Sequence, residues 1–345
     1  MKTAIRHTVA GMALAALAVL PTGCRKDLCY DHDEHNYAVK VDAVASWERE
    51  WERSHAVDWE SEWAGRGWDG WIAYDALRPD AADGIRCVVY KSDGIHSSNN
   101  LPPEGGRLPL SEEGAHALLF YNNDTEYIVF DNLTASGTAT ATTRTRTRGG
   151  FGGLHADERT INPPDMLYGA YIDEYVASKD TEVKRLPVAM RPLTYTYAIR
   201  YEFDAGLEYV ALARGALAGM AESVYLQDGH TGSETATILF DDDACRLTDF
   251  GVEARLQSFG VPDYPGDHYA KATNRYTLNL EVRLSNGAYK TFEFDVTDQV
   301  AAQPRGGVIV VSGIVITGAE ADGGSGFDVD VDGWGEYEDI EIPLN

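Results

Sequence analysis

The chain has 345 residues, 44% of them apolar, which is enough for two hydrophobic cores and excludes a disordered protein. Its 55 acidic side chains against 29 basic ones give a net charge of −26, which argues against a nucleic-acid partner, because that polyanion selects surfaces that release counterions with Lys and Arg. With 34 Gly and 19 Tyr among many Val and Thr, the composition favours strands joined by tight turns, and the chain is expected to be all-β.

Residues 1–23 combine a basic start (Lys2, Arg6), an apolar run from Val9 to Leu20 and small residues Thr22 and Gly23. This is the pattern of a secretory signal, and its apolar run falls short of the roughly 20 residues a membrane-spanning helix needs. Leu20-Pro21-Thr22-Gly23-Cys24 resembles a bacterial lipobox, which implies acylation of Cys24 and an outer-membrane lipid anchor. Arg25-Lys26-Asp27 is similar to the start of surface-exposed Bacteroidales lipoproteins, so display at the cell surface is expected. Residues 24–36 then read as a polar tether. Its His32-Asp33-Glu34-His35 has the donors for a transition metal, but a solvated tether gives them no rigid outer partners. Cys29, Cys87 and Cys245 are odd in number and lack zinc-like spacing; a Cys29–Cys87 bridge and small buried side chains both stay open.

A first sandwich is expected over residues 37–160. Tyr37, Val39, Val41 and Ala43 alternate with Lys40 and Asp42 as on a half-buried strand. Strands follow at Ile85–Tyr90 and Ala117–Tyr121, with Tyr127–Phe130 as the return arm, while Leu101-Pro102-Pro103-Glu104-Gly105-Gly106 reads as loop. The monotony of residues 136–153 and the stop at Asn162-Pro163-Pro164 place the boundary, so a second sandwich is expected over 163–345. Tyr195 to Phe203 alternates as a strand buried on one side. Leu207 to Tyr225, Ala-rich but interrupted by Gly215 and Gly219, supports one short helix at most. For the hairpin after Tyr276, an Asn286-Gly287 turn would set Leu280 against Glu293. A three-residue loop Ser285-Asn286-Gly287 instead pairs Leu284 with Ala288, Leu280 with Phe292, Leu278 with Phe294 and Tyr276 with Val296, and is predicted. Val308–Val311 with Ile314–Ile316 reads as a covered strand, and Phe327, Val329 and Val331 as an alternating one.

Few residues point to chemistry. Asp328, Asp330, Asp332 and Gly333 match the opening of a calcium loop, but strand-like flanks do not present ligands as helices do; Asp241-Asp242-Asp243 is read the same way, and no metal or cofactor is expected. No nucleophile–base pair, phosphate-cradling loop or paired catalytic carboxylates stand out, so no enzyme is expected. Six of the seven Trp residues lie between Trp47 and Trp71. Trp47 with Trp51, and Trp59 with Trp63, are four apart as on one helix face, so the insertion 47–71 is either a ligand or partner surface or a cap on the open end of the first sandwich. Arg144, Arg146 and Arg148 alternate with Thr, as a trypsin-like processing site or as a charged edge that resists aggregation.

Several stretches together resemble the fimbrillin-related surface lipoproteins of Bacteroidales, in the anchor-subunit-like group catalogued as a domain of unknown function. They are Cys24-Arg25-Lys26-Asp27-Leu28-Cys29-Tyr30-Asp31-His32, Tyr121-Asn122-Asn123-Asp124-Thr125-Glu126, Pro163-Pro164-Asp165-Met166-Leu167-Tyr168, Leu217-Ala218-Gly219-Met220-Ala221 and Phe327-Asp328-Val329-Asp330-Val331-Asp332-Gly333-Trp334. The resemblance implies two tandem transthyretin-like (Greek-key) β-sandwiches, a lipid anchor at Cys24, and fimbrial subunits as partners bound by strand addition. The alternative is a surface carbohydrate- or host-ligand-binding lipoprotein that uses the Trp segment.

Overall fold

The structure is a computed structural model that describes residues 37–53, 57–92, 94–147, 153–265 and 274–322. The signal, the tether with Cys24 and Cys29, Arg148, and the stretch holding Asp328, Asp330 and Asp332 lie outside the described residues.

Alternation builds the first sandwich. On β1 (Ala38–Val39) and β2 (Val41–Trp47), Val39, Val41 and Ala43 are buried as the period-two pattern predicts, whereas Tyr37, which that pattern puts on the same face, precedes β1 and is exposed. The continuous apolar runs of β3 (Ile85–Lys91) and β6 (Gly114–Tyr121) bury both faces: Cys87, Val89, Leu118 and Phe120 enter one core, while Val88, Tyr90, Leu119 and Tyr121 enter a second. Between them lie β4 (Gly94–Leu101) and β5 (Gly105–Arg107). The expected loop at 101–106 is therefore shorter than predicted, because Gly105 and Gly106 pair with Val44 and Ala43. A Cβ on Gly105 would lie 2.2 Å from the Ala43 carbonyl oxygen, so a glycine lets β5 close on β2.

The chain then leaves this sandwich and returns to it. β7 (Ile128–Asp131) does not fold back on β6 as a return arm; it pairs with β8 (Thr140–Thr143), in a small sheet over the outer face of β3 and β6. β9 (Arg159–Ile161) joins the second sandwich. There the half-buried Glu158 accepts from His155 Nδ1 at 2.7 Å, Thr237 Oγ1 at 2.9 Å and Gly219 N at 3.0 Å. β10 (Tyr168–Ala177), β11 (Lys179–Asp180) and β12 (Lys184–Pro192) go back to the first, where β10 runs antiparallel to β6 and β12 parallel to β2. The boundary expected near Pro163 is corrected by this pairing. Asn162-Pro163-Pro164 stops a strand but does not end a domain, because the partners of residues 168–192 are fixed by non-local register. The first sheet, in the order β4-β3-β6-β10-β12-β2-β5, folds over its own core, and the crossing to the second sandwich is Leu193-Thr194.

The second sandwich contains β13 (Tyr195–Ala205), β14 (Val210–Ala221), β16 (Thr235–Phe240), β17 (Cys245–Thr248), β18 (Gly251–Ser258), β19 (Thr277–Leu284), β20 (Tyr289–Asp295) and β21 (Gly307–Val315); β15 (Val224–Tyr225) extends the small sheet. Two sheets, β17-β18-β13-β21 and β20-β19-β14-β16-β9, face each other across a core that includes Tyr197, Ile199, Leu217, Phe240, Leu256, Leu278 and Ile309. Of the short helix allowed at 207–225 only a 3-10 turn forms, at Leu207–Tyr209, and β14 occupies most of the rest. Its Gly215 lies under the Phe240 ring, where a Cβ would approach Cζ to 2.4 Å, and Gly219 has φ of 85° at a register shift against β16. The 276–296 hairpin forms in the predicted register: Leu278 faces Phe294, Leu280 faces Phe292, Leu284 N–H donates to Ala288 O at 2.8 Å, and Gly287 has φ of 88°. Among the described residues the helices are short: α1 (Trp59–Gly65), α2 (Thr297–Ala302) and α3 (Gly318–Asp322).

Candidate partner-binding surface

The Trp segment is internal to the fold. Asp58 caps α1 by accepting from Ser61 N at 3.1 Å and Ser61 Oγ at 2.7 Å, and those bonds hold its carboxyl below the usual range. Trp59 and Trp63, one turn apart on α1, then face inward with Trp51 and Trp68, and all four are buried. Trp63 stacks on Trp71 at 5.5 Å and meets Trp51, Trp68 and Tyr74 edge-on. Trp47 is separate from them, at the end of β2, where it packs edge-on against Tyr168 and donates to Pro103 O at 2.9 Å. Trp47, Trp51, Trp59 and Trp63 are thus corrected from a ligand surface to packing residues.

Nor does the cluster cap the first sandwich. It covers the outer face of the second, against Ala198 and Val308, so β13 is buried on both sides where one was expected. Arg200 on that face lies 3.7 Å from the Phe250 ring centroid and 4.7 Å from that of Trp71, whose indole N–H donates to Glu253. The spacing of the Trp residues carries no sign of which sheet they cover, since that contact joins positions far apart in the chain.

Strand addition needs a free sheet edge, and the edges differ. Two glutamine amides close the edge of β21. Gln299 receives Val310 N–H at 2.8 Å and donates to Val310 O at 2.9 Å, and Gln303 does the same for Val308 at 2.9 and 2.6 Å. Each amide stands where a neighbouring strand's peptide group would stand. Trp59 Nε1 donates to Gln303 Oε1 at 3.0 Å and locks one of them. β4 and β20 also end their sheets. Arg144 and Arg146 are tied into the fold: Arg144 N–H donates to Tyr127 O at 3.0 Å, Arg146 N–H donates to Thr160 O at 2.8 Å, and the Arg146 side chain pairs with Asp241 at 2.9 Å.

One further feature escaped the sequence. β10 and β12 pair only through Tyr168–Pro192 and Gly169–Arg191, then diverge into the two halves of the first sandwich. At the mouth of this seam, beside the second sandwich, is a cleft of about 320 Å³ lined by Ala170, Ile172, Val188, Arg53, Arg191 and Arg305, among others. Its three arginines come from distant parts of the chain, so no motif announced them.

Two β-sandwiches joined through a shared core, with edge strands at their margins, place the chain in the all-β sandwich class. The sequence profile of DUF5119, a domain of unknown function, matches residues 74–241. A Bacteroides ovatus protein named "Putative fimbrium anchoring subunit Fim4B" is 23% identical over 374 residues, spanning 99% of this chain and 100% of that protein. In fold, the chain is similar to the crystal structure of "a putative adhesin" from Bacteroides ovatus, with a TM-score of 0.53 and 20% identity, covering 83% of this chain and 97% of that one. The likeness to the anchor-subunit group seen in the sequence is borne out.

Proposed function

We propose that this protein is a non-enzymatic anchor-like or accessory subunit of a fimbria, held at the outer face of the outer membrane by acylated Cys24 and joined to a neighbouring subunit by strand addition. The observation that carries the reading is the likeness to a fimbrium anchoring subunit along 99% of this chain and the whole of that relative. The edge strands β4 and β20 support strand addition, and the amide-closed edge of β21 directs it away from that margin. Cleavage at Arg144 or Arg146 has no part in this function, since both are hydrogen bonded into the fold; Arg148 lies outside the described residues. A carbohydrate surface on the Trp segment is likewise set aside, because Trp51, Trp59 and Trp63 are buried.

Fimbriae isolated from cells with and without the gene test the assembly role: altered length, attachment or composition is expected, and unchanged fibres refute it. Radiolabelled palmitate should enter the wild-type chain and not a Cys24→Ala variant; equal labelling removes the anchor.

A further inference from the structure

We infer that the cleft at the mouth of the β10–β12 seam binds a side-chain carboxylate of an extended acidic segment of a partner protein, with Arg305 as its inner cation. Arg305 precedes β21 and is only 7% exposed. Its guanidinium donates from Nη1 to Tyr195 OH at 3.3 Å and from Nη2 to Gly229 O at 2.5 Å and Tyr264 O at 3.4 Å; Nε has no partner among the described residues. The rings of Tyr195 and Tyr264 lie 5.4 and 5.0 Å away. All of these acceptors are neutral. A guanidinium stays charged at every physiological pH, and a buried charge without a counter-ion is costly, so a bound anion would complete this site.

The surroundings fit one kind of anion. Arg53 and Arg191 line the same cleft, so three arginines meet there in a chain of net charge −26. Among the described residues Asp228 is the only acidic one in the lining, and it is turned to solvent and paired with His230 at 2.6 Å. Arg53 pairs with Glu48 and Glu50, and Arg191 with Glu48, all at the exposed rim, which leaves Arg305 as the unneutralised charge among the described residues of the cleft. A carboxylate matches the planar fork of a guanidinium. The flanking edges of β10 and β12, unpaired with each other beyond two residue pairs, offer backbone donors and acceptors to an extended chain, and the partly exposed Ala170 and Ile172 offer apolar seats for alternate side chains. An extended segment with alternating apolar and acidic residues presents both features. The inference goes beyond the assembly role and does not need the partner to be a fimbrial subunit.

The test is calorimetric titration of the purified chain with acetyl-Val-Asp-Val-Asp-Val-amide and with its Asn counterpart. Saturable binding of the Asp peptide is expected, weakened about tenfold or more by the Asp-to-Asn change. Arg305→Gln should abolish it. Because that variant alters a buried residue, Arg53→Gln with Arg191→Gln serves as a rim variant, for which a loss of about three- to tenfold with unchanged circular dichroism is expected. Equal affinity for the two peptides, undiminished affinity in the rim variant, or inorganic phosphate binding as tightly as the Asp peptide would overturn the assignment. Normal fimbriae in the gene deletion would sink the assembly role and leave the peptide result standing.

Discussion

Replacing Trp63 by Ala tests whether the Trp cluster is a structural cover. The side chain is 1% exposed, and an indole buries roughly 150–250 Å², about 4–6 kcal/mol at 25 cal/mol per Å² before any collapse of the site. Partial relaxation brings the expected loss to about 3–5 kcal/mol. Within that figure is the bond from Trp63 Nε1 to Ile72 O at 2.7 Å, whose loss alone is worth about 1 kcal/mol. Trp63→Phe keeps a ring against Trp51 and Trp68 but cannot donate, so its cost should be only about 1–2 kcal/mol. Urea unfolding followed by Trp fluorescence gives both values, and limited proteolysis reports where the change occurs. Cleavage between residues 52 and 80 should rise in Trp63→Ala well before the second sandwich unfolds. A loss below about 1 kcal/mol with unchanged proteolysis would refute the packing argument and return these side chains to the surface.

Gly206→Ala should cost about 2–3 kcal/mol in a thermal melt, because φ there is 83° and a Cβ would stand 2.1 Å from Ile316 O; a variant as stable as wild type would contradict that geometry. An Arg-specific protease should leave the Arg144–Thr145 and Arg146–Thr147 bonds of the native chain intact, as mass mapping of early fragments can establish. Glu320 has its pKa lowered to about 2 by Lys290 and by Thr317, whose N–H donates to it at 2.8 Å. A carboxyl depressed in the folded state stabilises above its unfolded pKa and loses that contribution as pH falls from about 4.5 towards about 2. Glu320→Gln should therefore flatten stability against pH in that window; identical acid-unfolding profiles for the two proteins would refute it.

Local patterns are legible where the partner lies close in sequence. The 276–296 hairpin can be registered because one wrong register sets Leu280 against Glu293, and the structure pairs Leu280 with Phe292. β14 resists reading for the opposite reason: its run of small residues, among them Ala213, Ala216 and Ala218, resembles a helix until one sees that Gly215 makes room for Phe240 from β16. β13 reads as half-exposed because the cover over Ala198 and Arg200 comes from residues 51–71, far earlier in the chain. The interleaving of the two sandwiches through β9 and β10, and the meeting of Arg53, Arg191 and Arg305, depend on the same long-range pairing, which leaves no periodic trace.

The parallel pairing of β2 with β12 also has a mechanical meaning. A pull applied at Tyr37 runs along β1 into β2, which lies between β12 on one side and β5 on the other. β2 and β12 match from Val41–Lys184 to Trp47–Met190, so tension along β2 is shared by this whole ladder in shear and does not open it one bond at a time from an end. Forced unfolding is governed by the unfolding rate, not by equilibrium stability. If the chain has the proposed role, tethered through Cys24 and carrying a fibre under flow, its load-bearing joint would be at the first strands of the fold.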